Sequence, residues 1–108
     1  MALIASVDLA HVGPMFQDAF RIDKEKAEIN RARDLEMLAP LTRGEPEGFV
    51  QFIAEEKDVR KICGFTPLYV ASTAGEQPFE LIAHDQWVDP DGEGLVSYCA
   101  MIAHRAEQ

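Results

Sequence analysis

Pro67-Leu68-Tyr69-Val70-Ala71-Ser72-Thr73 opens the stretch whose reading decides the fold, a stretch that runs on to His104. This first run is rich in β-branched and aromatic side chains and begins at a proline, which the first position of a strand tolerates. Ala74-Gly75-Glu76-Gln77-Pro78 then supplies turn chemistry. The second run, Phe79 to Val88, alternates. Phe79, Leu81, Ala83 and Trp87 fall on one face, interrupted by Asp85, and Glu80, Ile82, His84, Gln86 and Val88 fall on the other. Asp89-Pro90-Asp91-Gly92-Glu93-Gly94 is the clearest turn in the chain, and Leu95 to His104 forms a third run, apolar on both faces. Such a strand is central or covered on both sides. A simple meander would leave it at an edge, so another element has to pair with it or cover it.

The rest of the chain is read outward from this sheet. Ala2 to Val7 is short and apolar and predicts a strand that joins the sheet and ends at Asp8, with His11-Val12-Gly13-Pro14 as a connection. From Pro14 to about Leu38 the composition is helical. Met15, Ala19, Ile22, Ile29, Ala32 and Leu35 form an apolar stripe, with Arg31 spaced to pair with Glu28 and Asp34. Ile22-Asp23-Lys24 leaves open a break into two helices. Pro40 is expected to end this segment, and Ala39 to Pro46 reads as a linker. A second helix is expected from Pro46 to Cys63, with Gly64 terminating it. Gly48 to Cys63 also reads as a strand followed by a helix, although Glu55-Glu56-Lys57-Asp58 continues without a turn signal. The prediction is a single α+β domain over residues 1–108. It has an antiparallel or mixed sheet of about four strands and two or three helices, in the order strand-helix-helix-strand-strand-strand.

The chain has 108 residues, 47% of them hydrophobic, which fits one packed core and argues against disorder. No apolar run reaches membrane-span length, and the N-terminus lacks the basic region of a signal peptide. No membrane contact is expected, and the localisation expected is cytoplasmic or virion. The formal net charge is −9, and residues 67–108 carry Arg105 as their single basic side chain. An acidic sheet region repels a phosphate backbone, so direct nucleic-acid binding is not expected. Glu76, Glu80, Asp85, Asp89, Asp91 and Glu93 are a candidate interaction surface for a basic protein partner.

Candidate chemistry is sparse. Asp89 to Gly94 has the alternating carboxylates of a calcium loop but no downstream bidentate Glu, and reads as a turn. His84 and Asp85 would point to opposite faces of a strand, which disfavours a metal cluster, and His84 is read as an exposed residue. His11 and His104 stand alone near the two ends and would approach each other only if the first and last strands pair. Cys63 and Cys99 are read as free, inert core thiols, since neither has a visible electropositive setting. Trp87 and Tyr98 are read as core or edge packing, the alternative being an exposed aromatic pair. No cofactor, metal or catalytic residue is assigned.

Two resemblances follow from the element order and turns. Leu68 to Thr73, the turn Ala74-Gly75-Glu76, and the strands Phe79–His84 and Leu95–Ala103 resemble the early meander of GCN5-related N-acetyltransferases. The Arg/Gln-x-x-Gly-x-Gly/Ala loop by which that family holds acetyl-coenzyme A has no counterpart, so no catalytic residue is implied. Val88 to Leu95 resembles the closing hairpin of small bacteriophage head–tail joining proteins, which implies a virion component. The function read from these features is a non-enzymatic structural or interaction protein, a small subunit of a larger phage-type assembly that binds protein partners or copies of itself. The alternatives are an acidic inhibitor that fills a partner's basic groove and a degenerate acyltransferase-like enzyme.

Overall fold

The computed structural model describes residues 2–74 and 78–104. Its elements are strand β1 (Ala2–Val12), a one-turn 3-10 helix (Pro14–Phe16), helices α1 (Lys24–Thr42), α2 (Pro46–Glu55) and α3 (Phe65–Ala74), and strands β2 (Glu80–Val88) and β3 (Leu95–His104). The class is α+β, as the sequence predicts, with three helices and a three-stranded antiparallel sheet ordered β1-β3-β2. β3 lies at the centre, with β1 pairing along the side that a meander would leave open. Both of its backbone edges are thereby paired, and of its two side-chain faces the one with Leu95, Cys99, Met101 and Ala103 is buried while Tyr98 on the other is exposed.

The largest correction concerns Pro67 to Thr73, which is helix. Leu68 is fully buried and Phe65, Tyr69 and Ala71 pack beside it, so the apolar positions follow a helical repeat that the β-branched residues disguise. Tertiary packing of this face overrides the strand propensity of Val70 and Thr73. α3 lies across β1 and α1 across β2, both on the same side of the sheet.

β1 continues past Asp8 to Val12 through a bulge. The bulge turns Leu9 and Ala10 both inward, and the buried Ser97 hydroxyl accepts the Ala10 N–H at 3.0 Å. β2 also shifts register, between Leu81 and Ala83. That slip moves His84, Gln86 and Val88 onto the inner face with Leu81, and leaves Ala83, Asp85 and Trp87 outward. Strict alternation therefore assigns His84 to the wrong side.

The expected helix from Pro14 to Leu38 is a short 3-10 turn, an irregular segment and then α1. Asp23 caps α1 by accepting the Lys26 N–H at 2.8 Å, and that bond holds its carboxyl below the usual range. The cap is fully charged above the unfolded carboxyl range and weakens as pH falls through the lowered folded value. Pro40 lies inside α1, which ends at Thr42, followed by Gly44 at φ 72°. The predicted stripe is exposed at Met15, Ile29 and Leu35, whereas Asn30, Asp34, Met37, Leu38 and Leu41 are buried. Arg31 reaches Asp85 rather than Glu28 or Asp34.

α2 stops at Glu55, because Lys57 and Asp58 both take left-handed φ (56° and 50°) and turn the chain. Each such residue costs roughly 1–2 kcal/mol. The turn is stabilised by Asp58 Oδ1 accepting the Ile62 N–H and by Arg60 swinging inward. Gly64 belongs to the approach to α3 and does not end α2.

Candidate functional site

Two constellations of polar side chains lie beside the sheet, and one positions the other. The first is a buried polar network around Asp34, which is 0% exposed. Asp34 Oδ1 accepts from Arg60 Nη1 at 2.6 Å, and Oδ2 accepts from His84 Nε2 at 2.7 Å and from Asn30 Nδ2 at 3.3 Å. Arg60 also reaches Asn30 Oδ1 and Glu56, and Glu56 accepts from Arg33 Nε. Gln86 ties Asn30 to the Ala27 carbonyl. The guanidinium of Arg60 thus has a partner for every N–H, counting Met37 Sδ at 3.8 Å. Charges this deep persist only when fully paired. Their consequence is mechanical: one arginine pins residues 56–63 to α1, and Asp34 and Asn30 carry the link on to His84 and Gln86 of β2.

The second constellation lies at the free edge of β1, where that pinned loop runs. The Arg60 carbonyl accepts from the His11 N–H at 2.8 Å, and the Cys63 N–H donates to Leu9 O at 3.1 Å. His11 is half-buried, its ring edge-on to Phe16 at 5.3 Å. Its Nδ1 lies 3.1 Å from Leu9 O and 3.2 Å from Lys61 O. Carbonyls only accept, so the proton is on Nδ1. Nε2 has no partner among the described residues and is the ring's acceptor nitrogen in that tautomer. Lys61 is itself held by Asp18 at 3.1 Å, and Asp18 Oδ2 accepts the Gly13 N–H. Cys63 is an exposed free thiol.

Close approach of the loop requires Gly64. A Cβ there would stand 2.6 Å from Asp8 O and 2.8 Å from Val7 Cγ2. Gly64→Ala is expected to lower stability by about 1–3 kcal/mol, the usual cost of overpacking. It should also loosen the His11–Arg60 and Leu9–Cys63 bonds. Urea unfolding checks the first effect, and hydrogen exchange at the His11 and Cys63 amides checks the second.

The sequence reading of these residues needs correction. Cys63 is not a core thiol closing a helix. Only Cys99 is buried, and burial, followed by the Asp34 charge, pushes its pKa up from 9.0 to about 12. His84 is inward-facing, with 4% of its side chain exposed, and its Nδ1 has no partner among the described residues. Trp87 and Tyr98 are 46% and 42% exposed on the outer face of the sheet, so they do not serve as core packing. His11 stands opposite Val96, whereas the His104 backbone pairs at the other end of β1 with Ala2. Of the acidic set, Asp89, Asp91 and Glu93 share the β2–β3 turn. Asp89 Oδ2 accepts the Asp91 and Glu93 N–H groups, and Glu93 pairs with Arg21 at 2.7 Å. Asp85 is outward on β2 near Arg31, and Glu80 is at the far end of the strand, roughly 30 Å from Asp89 at 3.3 Å per residue. Glu76 lies outside the described residues. No His, Cys, Asp or Glu side chains group in threes as a metal site among the described residues.

The profile of the Memo-like protein family matches residues 1–102. The chain belongs to the Memo-like family. A MEMO1 family protein of Thermus thermophilus is 45% identical over 51 residues, which make up 47% of this chain and 15% of that relative. The chain therefore spans a small part of the Memo-like relative it matches. Membership overturns both resemblances drawn from the sequence, to GCN5-related acetyltransferases and to phage joining proteins, and with them the reading as a virion subunit. The acyltransferase likeness rested on a strand that is α3, and the phage likeness on a hairpin turn that many antiparallel sheets share. No described helix is long and apolar enough to cross a membrane. The signal missed was the pair Asp8-Leu9-Ala10-His11 and Lys61-Ile62-Cys63-Gly64, two short segments 50 residues apart that only the fold juxtaposes.

Proposed function

We propose that this chain supplies the thiol and imidazole wall of a Memo-like active site, with Cys63 and His11 as its reactive groups. The observation that carries the reading is the double carbonyl anchor on His11 Nδ1. It fixes the tautomer and leaves Nε2 as a lone-pair donor beside the loop that presents an exposed thiol. In this reading Nε2 takes the proton of Cys63 as the sulfur attacks an electrophile. The same anchoring is also how histidines are held for metal ligation, and thiolate plus imidazole suits a soft or borderline transition ion. This second reading needs further ligands beyond the two.

The test is peptide-mapped alkylation by iodoacetamide. Cys63 should react and Cys99 stay protected, and His11→Gln should slow Cys63 about tenfold at about pH 7 by removing the base. An unchanged Cys63 rate in His11→Gln would refute the thiol–imidazole pairing. A sulfur-to-cobalt charge-transfer band on titration with cobalt(II), absent in Cys63→Ser, would favour ligation over proton transfer.

A further inference from the structure

Two carbonyls set the tautomer of His11, and they are held by different means. Leu9 O belongs to the same strand and lies 3.1 Å from Nδ1. Lys61 O comes from the facing loop, 3.2 Å away, and its position depends on an unfavourable backbone. Lys61 has φ 54°, a left-handed conformation that a residue with a Cβ keeps only where its surroundings fix it. Relaxation to the right-handed region would turn the Lys61–Ile62 peptide over and take the carbonyl off the ring. One acceptor would then remain for Nδ1–H, and the tautomer protonated at Nε2, which solvent can satisfy, would gain.

Two carboxylates oppose that relaxation. Asp58 Oδ1 accepts the Ile62 N–H at 2.9 Å, which holds the peptide by its other end. Asp18 grips the side chain, with Oδ1 and Oδ2 accepting from Lys61 Nζ at 3.1 and 3.2 Å. Asp18 is itself braced against the β2–β3 turn. Its Oδ2 accepts the Gly13 N–H at 2.9 Å, its own N–H donates to Gly13 O, and the Met15 N–H donates to Glu93 O at 2.8 Å. Gly13 lies so close to the turn that a Cβ there would stand 2.8 Å from Glu93 O. The same short segment sets Phe16 edge-on to the His11 ring. Residues 13–18 thus touch both the ring and the residue that anchors it. The Asp18 side chain is 19% exposed, so solvent and salt screen its pair with Lys61 only in part. We infer that Asp18 is a positioning residue for His11: by holding Lys61 in its left-handed conformation it keeps the second carbonyl on Nδ1 and leaves Nε2 as the acceptor nitrogen. The effect on Cys63 rests on the function proposed above, and the effect on the His11 ring does not.

The experiment compares the full chain with Asp18→Asn, with Lys61→Gly and with the two combined. Asparagine keeps an oxygen for the Gly13 N–H but no charge for Lys61. Nitrogen-15 chemical shifts of the ring, assigned with His11→Gln, read the tautomer in mildly alkaline buffer. The parent should show a protonated Nδ1 and an unprotonated Nε2, and in Asp18→Asn exchange between tautomers should draw the two shifts together. Alkylation of Cys63 by iodoacetamide should slow about threefold in Asp18→Asn, a part of the about tenfold loss expected of His11→Gln. Glycine takes left-handed φ without strain. Lys61→Gly should therefore keep the parent's ring shifts, and adding Asp18→Asn to it should change nothing further. Parent ring shifts in Asp18→Asn would overturn the inference. So would a ring disturbed equally in the double variant, because Asp18 would then act on the ring by its charge and not through residue 61. A shifted tautomer in Asp18→Asn with an unchanged Cys63 rate would uphold the positioning role and remove the thiol–imidazole reading.

Discussion

Asp34→Ala is expected to destabilise the protein by about 3–5 kcal/mol, the range seen when one partner of a buried ion pair is removed. The size follows from what is stranded. Arg60 Nη1, His84 Nε2 and Asn30 Nδ2 each lose an acceptor in a region where the arginine side chain is 10% exposed and that of the histidine 4%. Against a total of roughly 5–15 kcal/mol for a domain of this size, such a loss leaves little margin. Arg60 also carries the carbonyl that accepts from the His11 amide, so the variant should disturb the β1 edge as well as the core. Urea unfolding measures the first effect and the alkylation rate of Cys63 the second. Replacing Asp34, Arg60 and His84 together by apolar residues of similar volume should recover much of the stability. It should not restore the rate. An Asp34→Ala midpoint within experimental error of the parent would show that the network is wetter or looser than described.

Phe49→Ala is expected to cost a similar amount, about 3–5 kcal/mol. Phe49 is fully buried on α2 and stacks on Phe65 at 5.7 Å, and Phe65 stacks on Tyr69 at 6.1 Å. This aromatic row is what fastens α2 to α3, and α3 is the cover of β1. Phe49→Leu keeps most of the volume and should cost under about 1.5 kcal/mol. Alanine and leucine are both better helix formers than phenylalanine, so the larger loss in the alanine variant reads the cavity and not the helix. A small loss in the alanine variant would mean that α3 can close the gap.

High pH offers a check on the buried thiol. Cys99 keeps its proton to about pH 12 when folded but ionises from 9.0 upward when exposed. The unfolded state therefore binds fewer protons over that window, and stability falls as pH rises through it. Cys99→Ala should flatten that part of the stability profile.

The two strands of the β2–β3 hairpin and the turn between them were legible because Asp89-Pro90-Asp91-Gly92 is local chemistry. β1 was legible as a strand, though its length was not. Asp8 is polar and looks like a terminator, yet it faces solvent from within the strand and a bulge carries the chain on to Val12. Pro67 to Thr73 was misread for the opposite reason. Its strand propensity is real, but Phe65, Leu68 and Tyr69 repay burial only at helical spacing.

By itself the sequence determined the class, the acidic charge, the hairpin and the presence of two free thiols. Local propensities and turn residues act over a few positions and need no partner to be read. Only tertiary structure decided that the buried stripe of α1 runs through Asn30 and Asp34 rather than Ile29 and Leu35, because a carboxylate is tolerated inside only where Arg60 and His84 come to meet it. Only tertiary structure set His11 beside the Cys63 loop, since backbone bonds across 50 residues of chain leave no trace in composition or period.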